Sequence, residues 1–186
     1  PRTYRMRQSV QVARMPISNG NMPERGPHKV AAVVFDGVVL ADFSAPCELL
    51  GRVRLDDGRK GYAVKVCGTG REIRTSLCTI RPTHTLRALR DADTVLLPGL
   101  DDLDREIPAP LLRAVRSAAR RGARIVSICT GAFVLAATGL LDGRKATTHW
   151  RAASRLASRH PAIEVDADVL YVDAGRILTS AGAAAG

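Results

Sequence analysis

With 186 residues, 46% of them hydrophobic, the chain holds material for one packed core. Its apolar runs are strand-length, short of the roughly 20 residues a bilayer span needs. No signal-peptide pattern opens it, and four cysteines without C-x-x-C or zinc-type spacing read as reduced thiols, which together predict a cytoplasmic protein. The net charge of +10 raises nucleic acid as a partner, but half of it comes from the first 29 residues, where Arg2, Arg5, Arg7, Arg14, Arg25 and Lys29 face only Glu24. The arginine-rich segment 113–124 reads as a solvated helix face rather than a phosphate track.

Residues 1–28 lack apolar periodicity and carry Pro16, Gly20, Pro23, Gly26 and Pro27, so they are expected to form a disordered or loosely docked leader. Regular pattern starts at residue 29. The unbroken run Val30 to Phe35 predicts a strand buried on both faces, ended by Asp36-Gly37. Ser44-Ala45-Pro46 predicts a helix start with Ser44 as N-cap, running to Val53. Tyr62 to Cys67 is the next strand, and Glu72 to Ile80 reads as short strands around a turn, an edge hairpin. Thr94 to Leu97 forms another buried strand, stopped by Pro98-Gly99. Leu111, Leu112, Val115, Ala118 and Ala119 recur at helical spacing, with Gly122 as the stop.

The apolar run Ile125, Val126, Ile128 then delivers Cys129. Thr130-Gly131 turns the chain, and Ala132 to Ala137 reads as a buried helix closed by Gly139. Lys145 to Thr148 predicts a short strand, Arg151 to Arg159 a helix, and residues 169–179 a hairpin about Asp173-Ala174-Gly175. Strands alternating with helices predict an α/β domain over residues 29–186, with a mostly parallel sheet covered on both faces. Ligands in such sheets bind beyond the carboxyl ends of the strands, which places residues 36–42, Pro98-Gly99 and Cys129-Thr130 together. The ending Ala183-Ala184-Ala185-Gly186 reads as the approach to a helix that does not arrive, an expectation of truncation.

A cysteine on a strand–turn–helix has the logic of a nucleophile elbow. A helix N-terminus there favours thiolate over thiol, so Cys129 is expected to be poised toward a site, against the bland alternative of a buried structural thiol. Cys47, Cys67 and Cys78 sit in apolar elements and read as core. Asp42, in an apolar approach to a helix, either caps that helix or faces Cys129 as a proton shuttle. His149 either lines the site, as the partner of a Cys–His pair, or is a satisfied structural residue. Gly99 either aims an amide at an oxyanion or makes a plain turn. His28, His84 and His160 lack clustered partners, no metal site is suggested, and no nucleotide-binding loop is present, so no cofactor is expected.

The segments VFDGVVLADFSAPCELL, ARIVSICTGAFVLAATGLLDGRKATTHW and VDADVLYVDAGRILTSAGAAAG resemble the class I glutamine amidotransferase-like (PfpI/ThiJ-type) domain, in its version at the N-terminus of AraC-type transcriptional regulators. The resemblance covers about residues 29–186. It implies a flavodoxin-like three-layer α/β/α sandwich that commonly forms a homodimer and senses a small-molecule effector. DNA binding then belongs to a C-terminal helix-turn-helix pair lying beyond this chain. The segments also resemble isocyanide hydratases, whose catalytic pair matches Cys129 as nucleophile and Asp42 as general acid/base. That second resemblance implies that amides near Gly99 and Thr130 hold the developing charge; Gly99, Thr130 and Gly131 are the expected ligand-binding residues, and His149 is a further catalytic candidate or pocket lining. Two departures set this chain apart from the enzymes: Pro98-Gly99-Leu100 lacks a second glycine, and LTSAGAAAG replaces an LTGGG-like segment.

Overall fold

A computed structural model describes residues 26–182. Most of the expected leader, through Arg25, and the final Ala183 to Gly186 lie outside the described residues. The chain runs β1 (His28–Val34), α1 (Leu40–Arg52), β2 (Tyr62–Gly68), β3 (Ile73–Arg74), β4 (Thr79–Ile80), β5 (His84–Thr85), β6 (Thr94–Leu97), α2 (Ala109–Arg120), β7 (Arg124–Ile128), α3 (Gly131–Ala136), β8 (Lys145–Ala146), α4 (Ala153–Arg159), β9 (Glu164–Val165), β10 (Tyr171–Asp173) and β11 (Ile177–Ser180). Short 3-10 helices span Leu86–Asp91 and Trp150–Ala152.

Seven strands form the central sheet in the order β10-β11-β7-β6-β1-β2-β5. All its pairs are parallel except β10 with β11, the hairpin expected at residues 169–179. Alternating side chains divide the core between the two faces. Val30, Ala32, Leu96 and Ile128 pack with Phe43, Cys47 and Leu50 of α1. Ala31, Val33, Val95, Leu97 and Ile125 pack with Leu111, Val115 and Ala118 of α2 and with the wholly buried α3. This is the three-layer, flavodoxin-like α/β arrangement, with α1 on one face and α2 and α3 on the other.

Several boundaries differ from the sequence reading. Helix α1 starts at Leu40, not after Ser44, and no side chain caps it. The start is set by a distant strand end: Val38 bridges Leu100, and the Val39 amide donates to the Gly99 carbonyl at 2.8 Å. That places Asp42 in the first turn and Pro46 in the helix interior, where proline removes one rung of the backbone ladder. The hairpin β3–β4 forms its own two-stranded sheet, and β5 takes the edge position beside β2. Cys67 is buried as expected, but Cys47 is half-buried and Cys78 is exposed, because the turn carrying Cys78 stands clear of the core.

Candidate functional site

The carboxyl ends of β1, β6 and β7 bring the three expected segments together. Cys129 follows β7 with φ +55°, a left-handed conformation that no other non-glycine residue among the described residues adopts. An L-residue there carries roughly 1–2 kcal/mol of strain, so its surroundings must hold it in place. Its amide donates to the Ser180 carbonyl at 2.9 Å, and its carbonyl accepts the Thr148 hydroxyl at 2.8 Å. Thr130 locks the next residue, since its hydroxyl donates to the Leu100 carbonyl and accepts the Leu100 amide, both at 2.9 Å. These bonds tie the elbow to the ends of β6 and β11 and to the segment after β8.

Two glycines let the backbones close up. A Cβ at Gly131 would press into the Leu97 carbonyl and lie 2.7 Å from that of Pro98, inside the 3.0 Å that real Cβ contacts respect. At Gly99 a Cβ would run into the Asp42 carboxylate and lie 2.8 Å from Thr130 Oγ1. Gly99 and Gly131 therefore permit close approach of α1, β6 and α3. Thr130 spends its hydroxyl on the Leu100 backbone.

Asp42 is only 4% exposed. Its carboxylate meets the Cys129 thiol, which donates to it. Burial first, and then the charge and hydrogen bonding of Asp42, push the Cys129 pKa from 9.0 up to about 11. The Thr130 amide acts in the opposite direction, as a helix N-terminus should, and is outweighed. A helix N-terminus alone favours the thiolate expected from sequence, but burial and Asp42 outweigh it, so the resting group is a thiol hydrogen-bonded to Asp42.

His149 enters the neighbourhood through Thr148, but its ring turns to its own segment. Nδ1 accepts the Arg151 amide at 3.3 Å, capping the 3-10 helix, and the ring stacks on Trp150 with centroids 5.8 Å apart. The geometry assigns the pairing with Cys129 to Asp42. Two supports escaped the sequence reading: Thr148, which holds the Cys129 carbonyl, and Thr179, whose hydroxyl accepts the Thr147 amide at 2.8 Å. Their signal was present as hydroxyls inside otherwise apolar strand ends, since buried hydroxyls are kept where they have partners.

A cleft of about 160 Å³ lies across the β6 exit loop, lined by Phe35, Leu100, Arg105 and Val134 among others. A second, of about 230 Å³, is lined by Leu103, Asp104, Arg159 and His160 among others. Cys129 lines neither. Among the described residues no cluster of His, Cys, Asp and Glu could hold a metal ion, and no helix is long and apolar enough to cross a membrane.

A strained cysteine elbow facing a buried aspartate on this sheet directs comparison to one group of proteins, and the DJ-1/PfpI family model matches residues 28–186. The chain belongs to the DJ-1/PfpI family. It is 40% identical over 138 residues to an uncharacterized protein in the cpoL 5' region of Streptomyces lividans, covering 73% of this chain and 97% of that one. It is 25% identical over 162 residues to the HTH-type transcriptional regulator GbdR of Pseudomonas aeruginosa, covering 86% of this chain and 44% of GbdR. The chain thus spans less than half the length of that regulator. Over 72 residues it is 36% identical to an isonitrile hydratase of Pseudomonas putida, covering 38% of this chain and 32% of the enzyme. The crystal structure of an AraC family transcriptional regulator from Pseudomonas putida superimposes with a TM-score of 0.70 at 19% identity, covering 86% of each chain, and shares the fold. The sequence resemblance to PfpI/ThiJ-type domains of AraC-type regulators and to isocyanide hydratases therefore agrees with the relatives found.

Proposed function

We propose that residues 29–186 are the effector-sensing and dimerisation domain of an AraC-type transcriptional regulator acting in the cytoplasm, with DNA binding carried by a helix-turn-helix domain beyond this chain. The observation that carries this reading is the similarity to the HTH-type transcriptional regulator GbdR, which runs over 86% of this chain. A thiol pushed up to about 11 is a weak nucleophile at neutral pH but a serviceable hydrogen-bonding group for a small ligand. Asp42 beneath it supplies an acceptor, and the strained elbow fixes both in place. Exposed Leu49, Val53 and Leu55, on and just after α1, support self-association there, since an apolar patch favours a second protein surface.

The second reading is an isonitrile-hydrating enzyme, favoured by the Asp42–Cys129 contact and the similarity to isonitrile hydratase. In it Asp42 takes the thiol proton as sulfur attacks the isonitrile carbon and delivers it to that carbon, giving a thioformimidate on Cys129; water then adds to the same carbon, the C–S bond breaks, and the N-formamide leaves as the thiol is restored. One experiment separates the two. The chain is incubated with a simple alkyl isonitrile, and N-formamide is measured against Cys129→Ala. The sensing reading expects no product above that control. Cys129-dependent turnover would overturn it. Extending the gene past the codon for Gly186 gives an independent check, because the sensing reading requires two helix-turn-helix units there.

A further inference from the structure

Charge is distributed unevenly along the fold. Between residues 107 and 163 there are ten Lys and Arg residues and a single carboxylate, Asp142. The structure accounts for a minority of them: Arg155 and Arg159 pair with Asp104, and Lys145 pairs with Asp166. Helix α2 contains no acidic residue at all. It buries Leu111, Val115 and Ala118 against the sheet. At about 100° per residue, Arg113, Arg116 and Arg120 fall on the opposite side in one stripe. Arg113 and Arg120 are exposed, Arg116 is half-exposed and also donates to the Thr138 carbonyl at 3.3 Å, and none forms an ion pair among the described residues.

The neighbouring element is also rich in arginine. The Arg121 guanidinium reaches the Leu89 and Arg90 carbonyls, each at 3.1 Å, and so clamps the 3-10 helix Leu86–Asp91 beside α2. That helix carries exposed Arg87 and Arg90, neither in an ion pair among the described residues. A solvated arginine face normally interleaves carboxylates, as the pair Arg52–Glu48 does on α1. Between them, α2 and this 3-10 helix carry one carboxylate, Asp91.

Against the solvated-face expectation from sequence, we infer that the α2 arginine stripe is an auxiliary surface for the phosphate backbone of duplex DNA, contacted without sequence preference and on a different part of the domain from the Cys129–Asp42 site. A straight helix back carrying guanidiniums over about 10 Å suits a duplex, which offers one negative charge per roughly 1.7 Å of axis. Arginine's planar fork matches phosphate oxygens better than a point charge does. The choice of DNA over an acidic protein rests on the regulator reading, which keeps the domain close to an operator.

The test measures binding of the 186-residue chain to a fluorescent 30-base-pair duplex of arbitrary sequence, from 50 to 200 mM salt. The triple variant Arg113→Gln/Arg116→Gln/Arg120→Gln is compared with Arg52→Gln/Arg59→Gln/Arg81→Gln, an equal charge change at exposed, ion-paired arginines. The first triple should bind at least tenfold more weakly at 50 mM salt, with the log–log salt slope reduced by about 3, while the second changes affinity less than twofold. Equal losses in both triples, or no loss in the first, would overturn the assignment. So would polyglutamate binding as tightly as DNA with the same dependence on the stripe. A stop codon soon after Gly186 would remove the regulator reading while leaving this measurement intact; failure to bind despite a helix-turn-helix pair there would remove the stripe assignment alone.

Discussion

The Cys129 elbow and the β3–β4 hairpin each present a cysteine from a turn, and they are held in opposite ways. In the hairpin the bonds are local: the Thr75 hydroxyl accepts the Leu77 and Cys78 amides at 3.2 and 2.9 Å and donates to the Cys78 carbonyl at 2.8 Å. Leu77 at its tip is 82% exposed. The elbow's partners lie far away in sequence, at Leu100, Thr148 and Ser180. Local bonds shape a turn, but they cannot hold a residue in a conformation it resists. Distant partners can, because releasing the elbow would also disturb three other segments.

The sharpest way to break this contrast is at the glycines. Gly131→Ala should destabilise by about 3 kcal/mol or more, because the added carbon meets backbone that cannot move aside. Gly70→Ala, at the approach to the hairpin, meets nothing closer than 3.6 Å and should leave the thermal midpoint within about 2 °C. Thermal unfolding of both variants compares the regions directly.

Asp42→Asn tests the electrostatics of the elbow. Removing the carboxylate's charge should lower the Cys129 pKa from about 11 while leaving the burial contribution in place. Alkylation at pH 8.5 should then speed up, because a larger fraction of the sulfur is thiolate. The rate–pH curve should shift to lower pH; an unshifted curve would remove Asp42 from contact with sulfur. A smaller effect is expected from Thr148→Val, which deletes the 2.8 Å bond to the Cys129 carbonyl and should cost about 1 kcal/mol in denaturant unfolding. Least of all, Cys78→Ser should change stability by under about 0.5 kcal/mol. It should also abolish the fastest thiol labelling, since Cys78 is exposed, and so supplies the background for the Cys129 measurements.

Much of the sheet could be read from residues alone because its strands are nearly continuous apolar runs. Val30 to Phe35 and Thr94 to Leu97 mark β1 and β6 to within two residues. The hairpin of β10 and β11 was equally plain from Asp173-Ala174-Gly175. The start of α1 was not, because it depends on Leu100 and Gly99 some 60 residues later. Strands of two residues, such as β5 and β9, leave no periodicity to detect. At the site, Cys129, Gly99 and Gly131 stood out as turn chemistry. The protonation of the thiol did not, because desolvation belongs to the assembled core. Cys78 was misplaced for a related reason: an apolar-looking neighbourhood in sequence became a turn projecting into water.

The backbone of Cys129 has a consequence for how this position can vary. Glycine adopts a φ near +55° without penalty, so a glycine at the elbow would relieve a stress that every other residue type retains. By the criterion of backbone strain alone, the elbow would be better off without a side chain there. A lineage that drifted under selection for folding alone would be free to lose this sulfur, whereas one in which the thiol is used must keep it against that pull. The identity of residue 129 among close relatives is therefore a record of use: a shift to glycine would mark the branch where the site fell silent, and alanine, which loses the sulfur but keeps the stress, should be the rarer exit.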